Sequence, residues 1–196
     1  MAFYIELTLL PQEDAPTYFL WSKLYQQLHL ALAEIKNADD KVSIGVSFPQ
    51  YQFNPEKKIG FLGTKLRLFS QTENELDQLN IKKWLERLTD YVHITSIRPV
   101  PEEKITGYAC FKRKQPKTNA ERLARHRVKR GDIDFDEALS RYQNVVTTSD
   151  LPFIQLKSLT SAQPFKLFIE KQPAEQSASQ VFSTYGLSSE SSVPEF

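Results

Sequence analysis

The sequence predicts an α+β protein in two parts, on three observations. Strand-like and helix-like patterns alternate through the first hundred residues, the second half opens on a concentrated cationic stretch, and three strand-like runs follow it. The chain has 196 residues, 40% of them hydrophobic and 12% aromatic, with 6 Gly and 11 Pro, a composition that supports a real core and is neither fibrous nor disordered. The single cysteine, Cys110, makes no internal disulfide, and His29, His93 and His126 are spread without metal-ligand spacing. A secreted disulfide scaffold and a structural zinc module are therefore excluded, and no cofactor is expected. No apolar run reaches about 18 residues, and Glu6 interrupts the N-terminal MAFYIELTLL where a signal peptide would be apolar. A soluble cytoplasmic protein with no membrane partner is expected.

Each element has its own signal. Residues 3–10 (FYIELTLL) carry a strand's β-branched and aromatic content, and Asp14 before Ala15-Pro16 predicts a helix cap and an early-turn proline. Leu20, Leu24, Leu28, Ala31 and Leu32 recur at helical spacing to about Ile35. Residues 42–49 (VSIGVSFP) predict a second strand, and a polar loop containing Asn54-Pro55 leads to a third at 64–69. Ser70 or Thr72 caps a second helix whose inner face is Leu76, Leu79, Trp84, Leu85 and Leu88, and residues 91–100 make a fourth strand. The order βαββαβ is that of a ferredoxin-like domain, an antiparallel sheet with two helices on one face. Pro99 and Pro101, with Glu102, Glu103 and Lys104, place its end at about residue 100, so that 1–100 and 101–196 form two domains. The second opens on a short strand near 107–112. Thr118 and Glu121 form a capping box for a helix over about 118–130, stopped at Arg130-Gly131. Asp134 with Glu137 opens another helix through Tyr142. Strands are expected over 152–158, 165–171 and 180–186, with a polar tail up to Val193-Pro194.

The net charge of +1 hides an asymmetry. Residues 110–130 hold nine Lys or Arg against the single acid Glu121, leaving 16 basic and 23 acidic side chains on the rest of the chain. A weakly acidic body with one cationic element is the footprint of polyphosphate binding, since each cation displaces a condensed counterion.

Reactive groups are few. No GxGxxG, P-loop or HExxH occurs, and no acid pair has a spacing that suggests metal-assisted phosphodiester cleavage. A nuclease here must work without metal, which RNA permits because its 2′-hydroxyl is a nucleophile tethered beside the phosphate and needs only alignment and a base. Histidine is the natural base near neutral pH. His93, between Val92 and Ile94 of a strand, reads as a surface or structural residue, and His126, in the basic helix, as a phosphate or shape contact. His29 sits beside Leu28 at the edge of an apolar helix face, where burial statistics also allow a structural histidine.

Six motifs occur in order along the chain: Gln27-Leu-His29-x-Ala-Leu, Ile44-Gly-Val-Ser-Phe-Pro49, Arg113-x-Gln115 followed by Asn119-x-Glu-Arg-Leu123, Asp150-Leu-Pro-Phe-x-x-Leu-Lys-Ser158, Phe165-x-Leu-Phe-Ile169 and Tyr185-Gly-Leu-Ser188. Together they resemble the subtype I-F CRISPR repeat-processing endoribonucleases, a divergent branch of the CRISPR-associated sixth-family ribonucleases that lacks the wider family's glycine-rich C-terminal loop. The resemblance implies binding of the CRISPR repeat hairpin and metal-independent cleavage at the 3′ base of its stem. The 2′-hydroxyl attacks the adjacent phosphate, leaving a 2′,3′-cyclic phosphate and a 5′-hydroxyl. It also implies that the protein stays on the guide RNA's 3′ hairpin as a subunit of the type I-F surveillance complex.

By the same resemblance, His29 matches the general base, Ser158 the hydroxyl that positions the attacking ribose, and Tyr185 the residue that orients the histidine. Thr160 stands near the scissile phosphate. Asn119, Arg122, Arg125, Lys129 and Arg130 belong to the RNA-binding helix, with His126 where the pattern has arginine. Arg113 and Gln115 match a pair that reads base edges low in the stem, Arg suiting a guanine edge and Gln an adenine edge. Phe165 matches an aromatic that packs on the terminal base pair, although strand alternation also allows core packing. The alternative to an enzyme is a hairpin-binding structural subunit that does not cleave.

Overall fold

The computed structural model describes residues 1–116, 120–143, 149–158 and 160–196. These form two compact units, residues 1–113 with 151–196, and residues 114–150. The boundary near residue 100 follows composition, whereas the units follow packing: Ala109, Phe111, Ile154, Leu156, Leu167, Ile169, Phe182 and Val193 share one core with the first hundred residues.

The first unit runs β1 (Phe3–Leu9), α1 (Thr17–Glu34), β2 (Lys41–Val42), β3 (Gly45–Ser47), β4 (Gln52–Asn54), β5 (Ile59–Phe61), β6 (Lys65–Ser70), α2 (Glu73–Leu79), α3 (Ile81–Trp84), β7 (Val92–Ile94) and β8 (Arg98–Pro99). It continues with β9 (Gly107–Lys114), whose last residue falls in the second unit, then β10 (Phe153–Lys157), β11 (Pro164–Ala174), β12 (Phe182–Ser183) and β13 (Val193–Glu195). The first sheet has the order β3-β6-β1-β7 with antiparallel pairing, and β8 also pairs with β1. Alternation along β1 turns Ile5, Leu7 and Leu9 into the core. Leu7 lies opposite Leu66 of β6 on one side and Ile94 of β7 on the other. The second sheet has the order β10-β11-β9-β13.

Several expectations are corrected by the partners that residues find. Asp14 does not cap α1: Pro16 takes the N-cap position without a side-chain bond, and its carbonyl accepts the Phe19 and Leu20 amides at 2.9 and 3.2 Å. The strand expected over 42–49 divides because Val42 pairs with Phe182 of β12, whereas Gly45–Ser47 pairs with β6. The loop at Asn54-Pro55 is the turn of a hairpin, β4-β5, in which the Asn54 side chain accepts the Lys57 amide at 2.9 Å. Thr72 caps α2 in a capping box with Glu75. The second helix then breaks at Asn80, which adopts a left-handed φ of 44° that asparagine tolerates better than most residues. The strand of 91–100 divides into β7 and β8, and the polar tail contributes β13, which pairs with β9.

An aromatic hub joins helix and sheets. Phe48, fully buried, lies 5.5 Å from Trp21 and 6.0 Å from Tyr25 of α1, and 5.5 Å from Phe111 of β9, ring centre to ring centre. Gly45 marks another tight point. A Cβ there would fall 2.6 Å from the Phe182 ring and 2.7 Å from Val193, so β3 approaches both C-terminal strands only as glycine.

The second unit holds α4 (Ala120–Val128) packed on α5 (Phe135–Gln143), with Ala124 and Ala138 buried. Asp134 caps α5, its carboxylate accepting the Glu137 amide at 2.8 Å. The expected cap of α4, Thr118, lies outside the described residues.

Gly45→Ala should destabilise the protein by about 1–3 kcal/mol through overpacking. Denaturant unfolding checks this, and a variant as stable as the parent would show that β3 can shift to admit the methyl.

Candidate functional site

Helix α1 buries Leu20, Trp21, Leu24, Tyr25, Leu28, Ala31 and Leu32, and His29 stands half-buried at the edge of that stripe. Its Nδ1 lies 2.9 Å from the carbonyl oxygen of Thr184. A carbonyl only accepts, so Nδ1 carries the hydrogen and the neutral ring presents an unprotonated Nε2. The ring also stacks on Tyr185, with centres 4.1 Å apart and planes 8° from parallel. Burial pushes the imidazole below its ordinary value of 6.5; the Thr184 carbonyl acts in the opposite sense, and the positive charge of Arg113 adds to the lowering.

The loop that carries Thr184 and Tyr185 is fixed from several sides. Tyr25, fully buried one turn before His29, donates its hydroxyl to the Tyr185 carbonyl at 2.8 Å. Gly186 has φ +70°, and its carbonyl accepts the Val46 amide of β3 at 2.9 Å. Ser183 and Leu187 close a tight turn by backbone bonding, and the Ser188 amide reaches the Phe111 carbonyl at 2.9 Å.

Ser158 follows β10 directly, and α1 packs along that strand. Gln26, three residues before His29, accepts the Lys157 amide at 3.0 Å through its side-chain oxygen. Ser158 sits in a turn: its amide donates to the Gln163 carbonyl, its carbonyl accepts the Ala162 amide, and its Oγ accepts the Ser161 amide at 3.2 Å. Accepting that amide leaves the Ser158 hydroxyl its own hydrogen to donate. Thr160 is exposed in the same turn. Among the described residues, His29 and Ser158 make no direct hydrogen bond.

Arg113, exposed near the end of β9, places its guanidinium carbon 5.4 Å from the Tyr185 ring centre and 5.3 Å from that of Phe165, which is half-buried at the start of β11. A cleft of about 300 Å³ opens beside Arg113 and Tyr185, lined also by Asp40, Lys112, Ser183, Thr184 and Ser188, so that two cations and several hydroxyls share it with one carboxylate. The structure therefore brings His29, Tyr185, Arg113 and Phe165 into one array and ties the strand that ends just before Ser158 to the same helix.

In the second unit, Arg125, His126, Lys129 and Arg130 are exposed on α4 and the turn after it, while Arg127 pairs with Asp132. Gln115 is exposed. Asn119 and the side chain of Arg122 lie outside the described residues. His93 is exposed on β7, opposite Thr8 of β1. Among the described residues, no three His, Cys, Asp or Glu side chains converge as a metal group, and no helix is long and apolar enough to cross a membrane. Tyr25, Gln26, Thr184 and Gly186 are absent from the sequence-based candidates. Tyr25 and Gln26 act through side chains that the helical spacing does not single out, and Thr184 and Gly186 through backbone carbonyls.

The family model described as CRISPR-associated protein (Cas_Csy4) matches residues 4–196. The chain belongs to the Cas_Csy4 family. Two relatives, each called CRISPR-associated endonuclease Cas6/Csy4, are 35% identical to it: one from Escherichia coli (strain UTI89 / UPEC) over 202 aligned residues and one from Pseudomonas aeruginosa (strain UCBPP-PA14) over 198. Both alignments cover 100% of this chain and 100% of the relative. A solved structure described as "Characterization of a Cas6-related gene from Pyrococcus furiosus" overlaps 99% of this chain and 98% of its own, at 12% identity and a TM-score of 0.36, too slight a likeness to argue from. Membership of the Cas_Csy4 family agrees with the family that the six motifs resemble.

Titration of the His29 ring by NMR in the free protein should give a pKa below 6.5, with the neutral form carrying its hydrogen on Nδ1. A value at or above 6.5, or a neutral ring protonated on Nε2, would contradict the geometry.

Proposed function

We propose that this protein is an endoribonuclease that processes precursor CRISPR RNA, binding the repeat hairpin and cutting at the 3′ base of its stem without metal or cofactor. The observation that carries the proposal is the contact of His29 Nδ1 with the Thr184 carbonyl at 2.9 Å: a carbonyl only accepts, so the hydrogen belongs on Nδ1 and Nε2 is left to accept a proton at neutral pH. Two full-length relatives named as CRISPR-associated endonucleases support the reaction class. In the proposed step, Nε2 takes the proton of the ribose 2′-hydroxyl, whose oxygen attacks the adjacent phosphorus. The bond to the 5′ oxygen breaks, that oxygen takes a proton from water, the hydroxide so formed takes the proton from the imidazolium and restores the base, and the products are a 2′,3′-cyclic phosphate and a 5′-hydroxyl. Ser158 donates its hydroxyl to the attacking ribose and holds it in line, Thr160 lies near the scissile phosphate, and Tyr185 keeps the His29 plane fixed by stacking.

Recognition is proposed to divide between shape and sequence. Arg125, His126, Lys129 and Arg130, with Asn119 and Arg122, hold phosphates along the stem, a sequence-independent contribution. Arg113 and Gln115 read base edges at its foot, and Phe165 packs on the terminal pair. After cleavage the protein keeps the 3′ hairpin and joins the other subunits of the type I-F surveillance complex in the cytoplasm. Residues 1–100 then supply the base from a ferredoxin-like domain, and residues 101–196 supply most of the RNA contacts. The strand order β3-β6-β1-β7 with two intervening helical segments supports that description of the first part.

Purified protein in EDTA should cut its repeat RNA, and a 2′-deoxy substitution at the cleavage nucleotide should abolish the cut. His29→Ala should lose the cut while retaining hairpin affinity within about threefold, because a base acting on the 2′-hydroxyl adds little ground-state binding. The cleavage rate should fall on acidification only below about pH 6.5, since burial depresses the imidazole and protonation removes the base. Binding without cleavage by the parent protein would favour the structural-subunit alternative. Cleavage of the deoxy substrate would exclude the 2′-hydroxyl mechanism.

A further inference from the structure

The first unit contains a continuous stack of four side chains: Phe165, Arg113, Tyr185 and His29. Its two ends have different proposed duties, since Phe165 meets the terminal base pair and His29 performs the proton transfer. Arg113 lies between them and is exposed. A guanidinium is planar, so its faces stack on rings while its edge donates a fork of hydrogen bonds outward. The same group that stacks on Tyr185 therefore has its N–H edge available for a guanine O6/N7 pair. Fixing that edge fixes the plane of the guanidinium, and with it the ring that stacks on His29.

We propose that Arg113 is a positioning residue for His29, transmitting through Tyr185 whether the base pair at the foot of the stem is the correct one. This rests on the ribonuclease reading and extends it: discrimination appears in the chemical step as well as in binding. A correct pair locks Arg113 between Phe165 and Tyr185 and holds the imidazole in register with the 2′-hydroxyl. An inverted pair presents no guanine acceptors at that place, leaving the guanidinium, Tyr185 and the imidazole less restrained. The backbone on either side does not share in this slack, because Gly186 is bonded to Val46 and the Tyr185 carbonyl to Tyr25. The adjustable part is confined to the side-chain stack.

The test uses the full chain with cognate hairpin RNA and with a hairpin whose lowest G·C pair is inverted. Single-turnover rates at saturating protein are measured for the parent, Arg113→Ala and Arg113→Lys, and His29 is titrated by NMR in each RNA-free protein. The parent should cut the cognate hairpin faster than the inverted one even at saturation. Arg113→Ala should lower the saturating cognate rate by about 10- to 100-fold, the scale of a misplaced catalytic group, and abolish the difference between the two hairpins. It should also raise the His29 titration, because a neighbouring positive charge is lost. Arg113→Lys should restore the titration by keeping the charge but not the rate, because it lacks the planar fork. If Arg113→Ala changes only the protein concentration needed for saturation, leaving the saturating rate and the titration as in the parent, Arg113 is a binding contact alone and the proposal is overturned. Failure of the parent to cut either hairpin would overturn the ribonuclease reading. In that event an unmoved titration in Arg113→Ala would separately overturn the link to His29, and a raised one would support it.

Discussion

Residues 25 to 29 of α1 fasten, within little more than one helical turn, His29 itself and the two segments that flank it. Tyr25 holds the loop of Thr184 and Tyr185 by its hydroxyl, Gln26 holds the end of β10 beside Ser158 by its amide oxygen, and His29 takes the Thr184 carbonyl on Nδ1. The three bonds differ in strength by their surroundings. The Tyr25 bond is buried, and breaking it strands a polar group at a cost of about 1–3 kcal/mol, whereas the exposed Gln26 bond contributes nearer 1 kcal/mol. The loop is accordingly the rigid side of the site and the Ser158 turn the softer one. Everything proposed about chemistry depends on this arrangement, because alignment of the 2′-hydroxyl and removal of its proton are the two tasks the protein must perform.

Electrostatics and packing act together on the imidazole. Half-burial against Tyr185 favours the neutral ring, and Arg113 disfavours a second positive charge nearby, so both hold the imidazole, the proposed base, toward its neutral form. The cations on α4, proposed as phosphate contacts, lie in the other compact unit, exposed on a helix whose small inner face packs on α5 through Ala124 and Ala138.

Much of the architecture was legible in the sequence because it follows local periodicity. The apolar spacing from Leu20 to Leu32 marks α1, and the alternation along Ile5, Leu7 and Leu9 marks β1. The misread strands share one cause: their boundaries are set by distant partners. The strand over 42–49 divides because Val42 finds Phe182, and the last residues form a strand because Val193 finds Ala109. The helix break at Asn80 needs a left-handed residue that asparagine supplies without announcing it. Of the candidate site, the motifs single out His29, Ser158 and Tyr185 as candidates, but the atoms that hold them are hidden in the sequence. Thr184 lies 155 residues from His29 and acts through its backbone, and Tyr25 is disguised within an apolar stripe.

The claim that one turn of α1 prepositions the site is tested most directly by Gln26→Ala, measured as the single-turnover cleavage rate at saturating protein together with hairpin affinity. Gln26 is incompletely buried and its side-chain oxygen bonds the Lys157 amide, so the variant should fold and bind RNA as the parent does. A fall in rate of about tenfold or more, with affinity unchanged and the same acidic limb in the pH profile, is the predicted result, since the turn of Ser158 loses its tie to the helix while the imidazole keeps its surroundings. An unchanged rate would contradict the account, because Ser158 would then hold its place without the helix that carries His29.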